Sequence, residues 1–102
     1  MIGLGKWRCH VDTMFFNGDV ELTVTDKNGE YDFDLVLPGI DIPDYEIKSI
    51  EEDDNSIYAV VHIPSIGKDA DLNVTFDGDT FNGFVKIPFL GKVKFKDGYK
   101  VS

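Results

Sequence analysis

The chain is poor in the residues that most often announce a function. It has one cysteine, Cys9, so no internal disulfide can staple it. That fits a reducing, cytoplasmic setting. It has two histidines, His10 and His62. Both fall on outward faces of the strands read below, with no Cys, Asp or Glu at ligand spacing on the same face. A metal centre needs several convergent ligands, so none is expected. Lysine and arginine number 10 against 19 acidic residues, a net charge of −9. A nucleic-acid partner or an anionic bilayer surface calls for clustered cations, so neither is expected. The excess negative charge reads as solubility.

Other absences narrow the field further. No apolar run approaches membrane-spanning length. The opening Met1, Ile2, Gly3, Leu4, Gly5 is too short and uncharged for a secretion signal. No stretch holds a helical period of useful length. There is no glycine-rich phosphate loop and no serine in a nucleophile-elbow context. Cys9 shares a face with Trp7, which makes it a small core residue rather than a nucleophile. Asp77-Gly78-Asp79 and Asp53-Asp54-Asn55 look like fragments of calcium loops but lack the full series of oxygen ligands, so they are turn formers. The carboxylates are scattered over turns and outer faces. An enzyme is therefore not expected, and no cofactor is implied.

What the chain does have is β pattern. Its 102 residues are 42% hydrophobic and 13% aromatic, enough for one core but not two, so residues 1–102 are read as one domain. One stretch appears twice. Residues 19–38 read DVELTVTDKNGEYDFDLVLP, and residues 69–88 read DADLNVTFDGDTFNGFVKIP; they align without a gap. Each copy is a hairpin: an alternating run, an Asn-Gly or Asp-Gly turn, a second run and a proline stop.

Period-two alternation gives eight strands. The first carries Trp7, Cys9, Val11 and Thr13 inward and ends in a turn of Met14, Phe15, Phe16, Asn17 and Gly18. The second carries Val20, Leu22 and Val24, and the third Tyr31, Phe33, Leu35 and Leu37. The fourth, near 45–51, has Tyr45 and Ile47 in phase but Ile50 out of it, which predicts a bulge or sheet corner. The fifth alternates Ile57, Ala59, Val61 and Ile63 against a second apolar face of Tyr58 and Val60, which a terminus or neighbour would cover. The sixth has Ala70, Leu72, Val74 and Phe76. The seventh has Phe81, Gly83, Val85 and Ile87, where Gly83 predicts a bend or a close approach. The eighth, 92–96, sets Val93 and Phe95 against a lysine face suited to an edge or closing strand. Residues 97–102 read as a short return or tail. The inner face is almost wholly apolar, with Thr13, Tyr31, Tyr45 and Ser49 as its polar handles.

Short connections make this an antiparallel up-and-down meander. Eight strands are enough to close a barrel; the alternative is a two-layer sandwich of the same strands. Its two ends differ. The turns after strands two, four and six are polar and mostly acidic. Those after one, three, five and seven are apolar, and three share a phrase: LPGI, IPSI and IPFL. Loops normally face water. Phe15, Phe16, Ile40, Ile66, Phe89 and Leu90 gathered at one end would form a plug, a mouth for an apolar ligand, or a docking patch.

Gly5-Lys6-Trp7 at the start of strand one, followed by eight meandering strands, resembles the calycin superfamily of lipocalins, fatty-acid-binding proteins and avidins. The resemblance implies a barrel with the tryptophan across its closed end and the loops after strands one, three, five and seven at its open mouth. Trp7, Tyr31, Phe33, Tyr45 and Phe81 would then lie in the interior. Lipocalins usually carry an arginine on that tryptophan; here the late strand offers only Lys94, Lys96 and Lys100. The polar biotin set of avidins and the carboxylate clamp of fatty-acid-binding proteins are absent, so no ligand residue carries over. The whole chain, with Gly78-Asp79-Thr80-Phe81-Asn82-Gly83, is also similar to a short bacterial domain without an assigned activity. The expectation is a non-enzymatic binding module. Its apolar end takes a small hydrophobic ligand or lipid, or else joins a second copy or another protein.

Overall fold

The computed structural model describes residues 2–12, 17–37, 39, 43–88 and 91–102. The inward Thr13, the turn residues Met14, Phe15 and Phe16, the loop residues Pro38, Ile40, Asp41 and Ile42, and Phe89 and Leu90 lie outside them. Eight strands form: β1 Gly5–Asp12, β2 Asn17–Lys27, β3 Glu30–Val36, β4 Glu46–Glu52, β5 Ser56–Ile63, β6 Lys68–Asp77, β7 Thr80–Ile87 and β8 Gly91–Lys100. All belong to one antiparallel sheet in the order β3-β2-β1-β8-β7-β6-β5-β4. The sheet curls into a half-barrel. It is not a two-layer sandwich, because the first and last strands pair and carry one ladder round from β3 to β4.

Alternation decides which side chains enter the core. Trp7, Cys9 and Val11, then Val20, Leu22 and Val24, then Leu72, Val74 and Phe76 are buried, while their sequence neighbours are half-buried or exposed. The two repeated hairpins share one register. Leu22↔Leu35 and Val24↔Phe33 in the first match Leu72↔Val85 and Val74↔Gly83 in the second. Their turns differ. Asn28 and Gly29 both have positive φ (57° and 87°), as type I′ requires, whereas in the second only Gly78 does (60°), as in type II′.

Four details depart from the sequence pattern or sharpen it. Asn17 and Gly18 are not turn residues; they pair with Asp12 and Val11 and begin β2. The register shift between Ile47 and Ser49 is the bulge foreseen in β4, and it turns Ser49 outward and exposed, not inward. β8 does not stop at Lys96. Asp97, with φ 55°, and Gly98 bend it, and the chain then continues between β7 and β1, with Lys100 N donating to Asp79 O at 2.8 Å. The stretch expected as a short return or tail is here a continuation of the strand past a kink, with a neighbour on each side. β8 is thus the closing strand, and the edges are β3 and β4. Finally, residues 101 and 102 run beside Lys6 of β1 and residues 2 and 3 lie against Tyr31 and Phe76, so neither terminal segment covers the outer face of β5, and Tyr58 stays 38% exposed.

Candidate functional site

The interior divides into an aromatic half and an aliphatic half. At the end that carries the turns after β2, β4 and β6, the Trp7 ring packs 4.8 Å from Phe76 and 5.6 Å from Phe81, and Phe81 lies 5.8 Å from Phe95. Residues 2–4 cross this end. Trp7 Nε1 donates to Gly3 O at 2.8 Å, and Ile2 N donates to Tyr31 Oη at 2.8 Å. Gly3 lies so close to Phe76 that a Cβ would stand 2.3 Å from its ring. Lys100 Nζ sits 5.8 Å from the centre of the Trp7 ring, within cation–π range. Of the three late lysines it is the one on the tryptophan.

Among the described residues the opposite half is mainly aliphatic, with Phe33 and Tyr45 as its aromatic rings. Leu22, Leu35, Val61, Ile63, Leu72 and Ile87 help to line a cavity of about 50 Å³, with Tyr45 as its one hydroxyl among the described residues. These residues stand on β2 and β6, toward the ends of β3, β5 and β7 and, for Tyr45, just before β4, at the end that carries the turns the sequence marks as apolar. Of the six rim residues expected there, Ile66 alone is described. It is 40% exposed, on a turn held by Gly67 N donating to Ile63 O at 2.9 Å. Phe15, Phe16, Ile40, Phe89 and Leu90 lie outside the described residues. Of the five interior residues, Trp7, Phe33 and Phe81 are buried, and Tyr31 and Tyr45 are half-buried.

Those two tyrosines flank the seam where β3 and β4 face each other unpaired. Outside the seam runs a groove in two lobes of about 560 and about 470 Å³, which share Glu30, Tyr31 and Ile47. Tyr45 lines both the outer groove and the inner cavity. Burial, and then the charges of Asp32 and Asp34, push its phenol up to about 12. Tyr31 Oη donates to Glu52 across the seam. Glu52 is the side chain at the seam that strand periodicity missed. The bulge puts Ile50 in the inward phase, and two residues on Glu52 follows it; carrying that phase forward would have found it.

The chain matches no family model, no curated protein and no solved structure.

Outside this region the histidines have partners that lie on neighbouring strands, which spacing along one strand could not show. His10 Nδ1 lies 3.2 Å from Asp19 Oδ1 and His62 Nδ1 lies 2.8 Å from Asp69 Oδ1. Asp19 and Asp69 are the matched first residues of the repeat. Asp69 also takes Lys48 Nζ at 2.9 Å. Its carboxyl is held below the usual range by the His62 hydrogen bond first and Lys48 second. Among the described residues no group of three or more His, Cys, Asp or Glu side chains could hold a metal ion. The Cys9 thiol donates to Lys96 O at 3.2 Å, and burial pushes its pKa up, so it is a core group and not an activated nucleophile.

Proposed function

We propose that this chain is a non-enzymatic binding module that takes a small hydrophobic ligand into the aliphatic half of its half-barrel. The observation that carries this proposal is the asymmetry of the interior: one end is filled by Trp7, Phe76 and Phe81 and crossed by residues 2–4, and the other holds an apolar cavity. Ligand sites of this kind are apolar, with few polar groups to orient the guest. Tyr45 is that group here, a phenol that stays protonated at neutral pH and can donate. The resemblance of Gly5-Lys6-Trp7 and the eight-stranded meander to calycins points the same way.

The cavity of about 50 Å³ is below the ~150 Å³ that holds benzene in a dry protein cavity. A longer guest therefore needs the wall to move. The seam is where this costs least: β3 and β4 share no ladder, so parting them breaks the Tyr31–Glu52 contact and no interstrand backbone bond. Closed ladders elsewhere would have to give up hydrogen bonds of roughly 1 kcal/mol each.

The test is uptake of a fluorescent fatty acid by the native protein and by Ala70→Leu. Ala70 is buried on the cavity wall, and a leucine there fills the space from within. Uptake by the native chain and loss of at least tenfold in affinity with an unchanged melting temperature supports the proposal. Equal uptake by both chains overturns it.

A further inference from the structure

The seam offers backbone as well as space. In a two-residue hairpin the closing residues, here Lys27 and Glu30, form a hydrogen-bonded pair. The pattern then repeats every second residue, so Glu30, Asp32 and Asp34 turn their peptide groups toward β2. Tyr31, Phe33 and Leu35 turn theirs toward the seam. The same parity works on β4. Asp53 N donates to Ser56 O at 2.9 Å and closes the β4–β5 turn, which leaves Glu52 and Ile50 with peptide groups toward the seam. Of these edges β3 is the regular one; β4 is broken by its bulge.

The side chains along these edges sort by face. Those that point inward, Phe33 and Leu35 on β3 and Ile47 and Ile50 on β4, belong to or pack on the core. Those that flank the seam outside are Glu30, Asp32 and Asp34 on one edge and Glu46 and Glu51 on the other. Lys48 is the cation among them, and it is already held by Asp69 at 2.9 Å; Lys27 stands at the hairpin end of the groove. An edge strand is an open template for another strand, and like charges opposite one another are unfavourable. A second copy of this chain, at −9, would bring acid against acid.

We propose that the β3 edge accepts an extended peptide segment in which apolar residues alternate with lysine or arginine. Its backbone would extend the sheet at Tyr31, Phe33 and Leu35, as in recognition by strand addition. Its apolar side chains would point inward beside Phe33, Leu35, Ile47 and Ile50, and its cations would lie between Asp32 and Asp34 on one side and Glu46 and Glu51 on the other. The groove of about 560 and about 470 Å³, lined on β3 by Glu30, Tyr31 and Asp32, is the space that the part of the peptide nearest the β2–β3 hairpin would occupy. This proposal concerns the free edge and does not depend on a small ligand in the cavity.

The chain itself supplies a probe. Lys92, Val93, Lys94, Phe95 and Lys96 have the required alternation, with Val93 and Phe95 buried and the lysines exposed. The capped peptide Lys-Val-Lys-Phe-Lys is titrated into the full-length protein, and amide hydrogen exchange is followed residue by residue. Binding that slows exchange at Tyr31, Phe33 and Leu35 at least tenfold supports the proposal, as does at least tenfold weaker binding to the exposed-face variant Asp32→Lys/Asp34→Lys. A steep loss of binding with added salt is expected alongside. Should that variant fail to fold, the peptide Glu-Val-Glu-Phe-Glu replaces it as the control, and its equal binding overturns the proposal. So does protection at other strands, no binding up to millimolar peptide, or protection of the β3 edge without peptide in a protein that sediments as a dimer.

Discussion

Tyr31 donates its hydroxyl to the Glu52 carboxylate across the one interval of the half-barrel where consecutive strands do not pair. The same hydroxyl accepts Ile2 N at 2.8 Å. One phenol therefore joins three parts of the chain at the aromatic end: the N-terminal segment, β3 and β4. Its pKa is raised, by burial first and by Glu52 next, so it stays a donor through the neutral range.

Tyr31→Phe keeps the ring, which stacks 5.8 Å from Phe33, and removes only the hydroxyl. The expected loss is about 1–2 kcal/mol of stability, the net value of the two partly exposed hydrogen bonds that the hydroxyl makes. Faster amide exchange should appear on β3 and β4 but not at the β1–β8 junction. Uniform acceleration over all strands would show that the contact is not a local clasp.

Gly98→Ala tests the seat of the aromatic cluster. A Cβ there would stand 2.1 Å from Phe81 Cε1, and Phe81 is wholly buried with nowhere to retreat. Overpacking of this kind costs about 2 kcal/mol, read by denaturant melting. Gly83→Ala meets backbone instead, at 2.0 Å from Asn73 O, and should cost at least as much. A wild-type melting curve for either variant contradicts the packing described.

These positions also mark where sequence and structure part. The strands and their inward faces could be read from alternation, because one buried face imposes a period of two on nearly every segment. Gly83 and the bulge beside Ile50 were visible as breaks in that pattern. The His10–Asp19 and His62–Asp69 pairs were not, since register across strands is set by turns and not by spacing along one strand. Nor was the length of β8: Asp97 and Gly98 carry turn chemistry, and only the two flanking strands make them a kink. The seam was hidden for a similar reason, because a connection of apolar loop residues between β3 and β4 says nothing about whether its flanks pair.

Tyr45 predicts an alkaline limb in stability. A phenol raised from 10.0 to about 12 in the folded state stays protonated there after the unfolded chain has begun to ionise. Its contribution is therefore full below about pH 10 and is lost as pH rises toward about 12. Tyr45→Phe should flatten that limb, and ultraviolet titration of the phenols should lose its latest component. An unchanged limb in the variant would assign it to other groups.

The Cys9 thiol, wholly buried and raised in pKa, should resist a thiol reagent in the folded protein and react once denatured. Rapid labelling under native conditions would place it outside the core.

The measurement that bears most directly on the binding proposal is a methyl NMR titration with a small apolar compound such as cyclohexane. The expected result is saturable shifts at Leu22, Leu35, Val61, Leu72 and Val85, which line the cavity, with Val24 and Val74 near the aromatic end unmoved. Shifts confined to the aromatic end, or none at saturation, would contradict a ligand site in the aliphatic half.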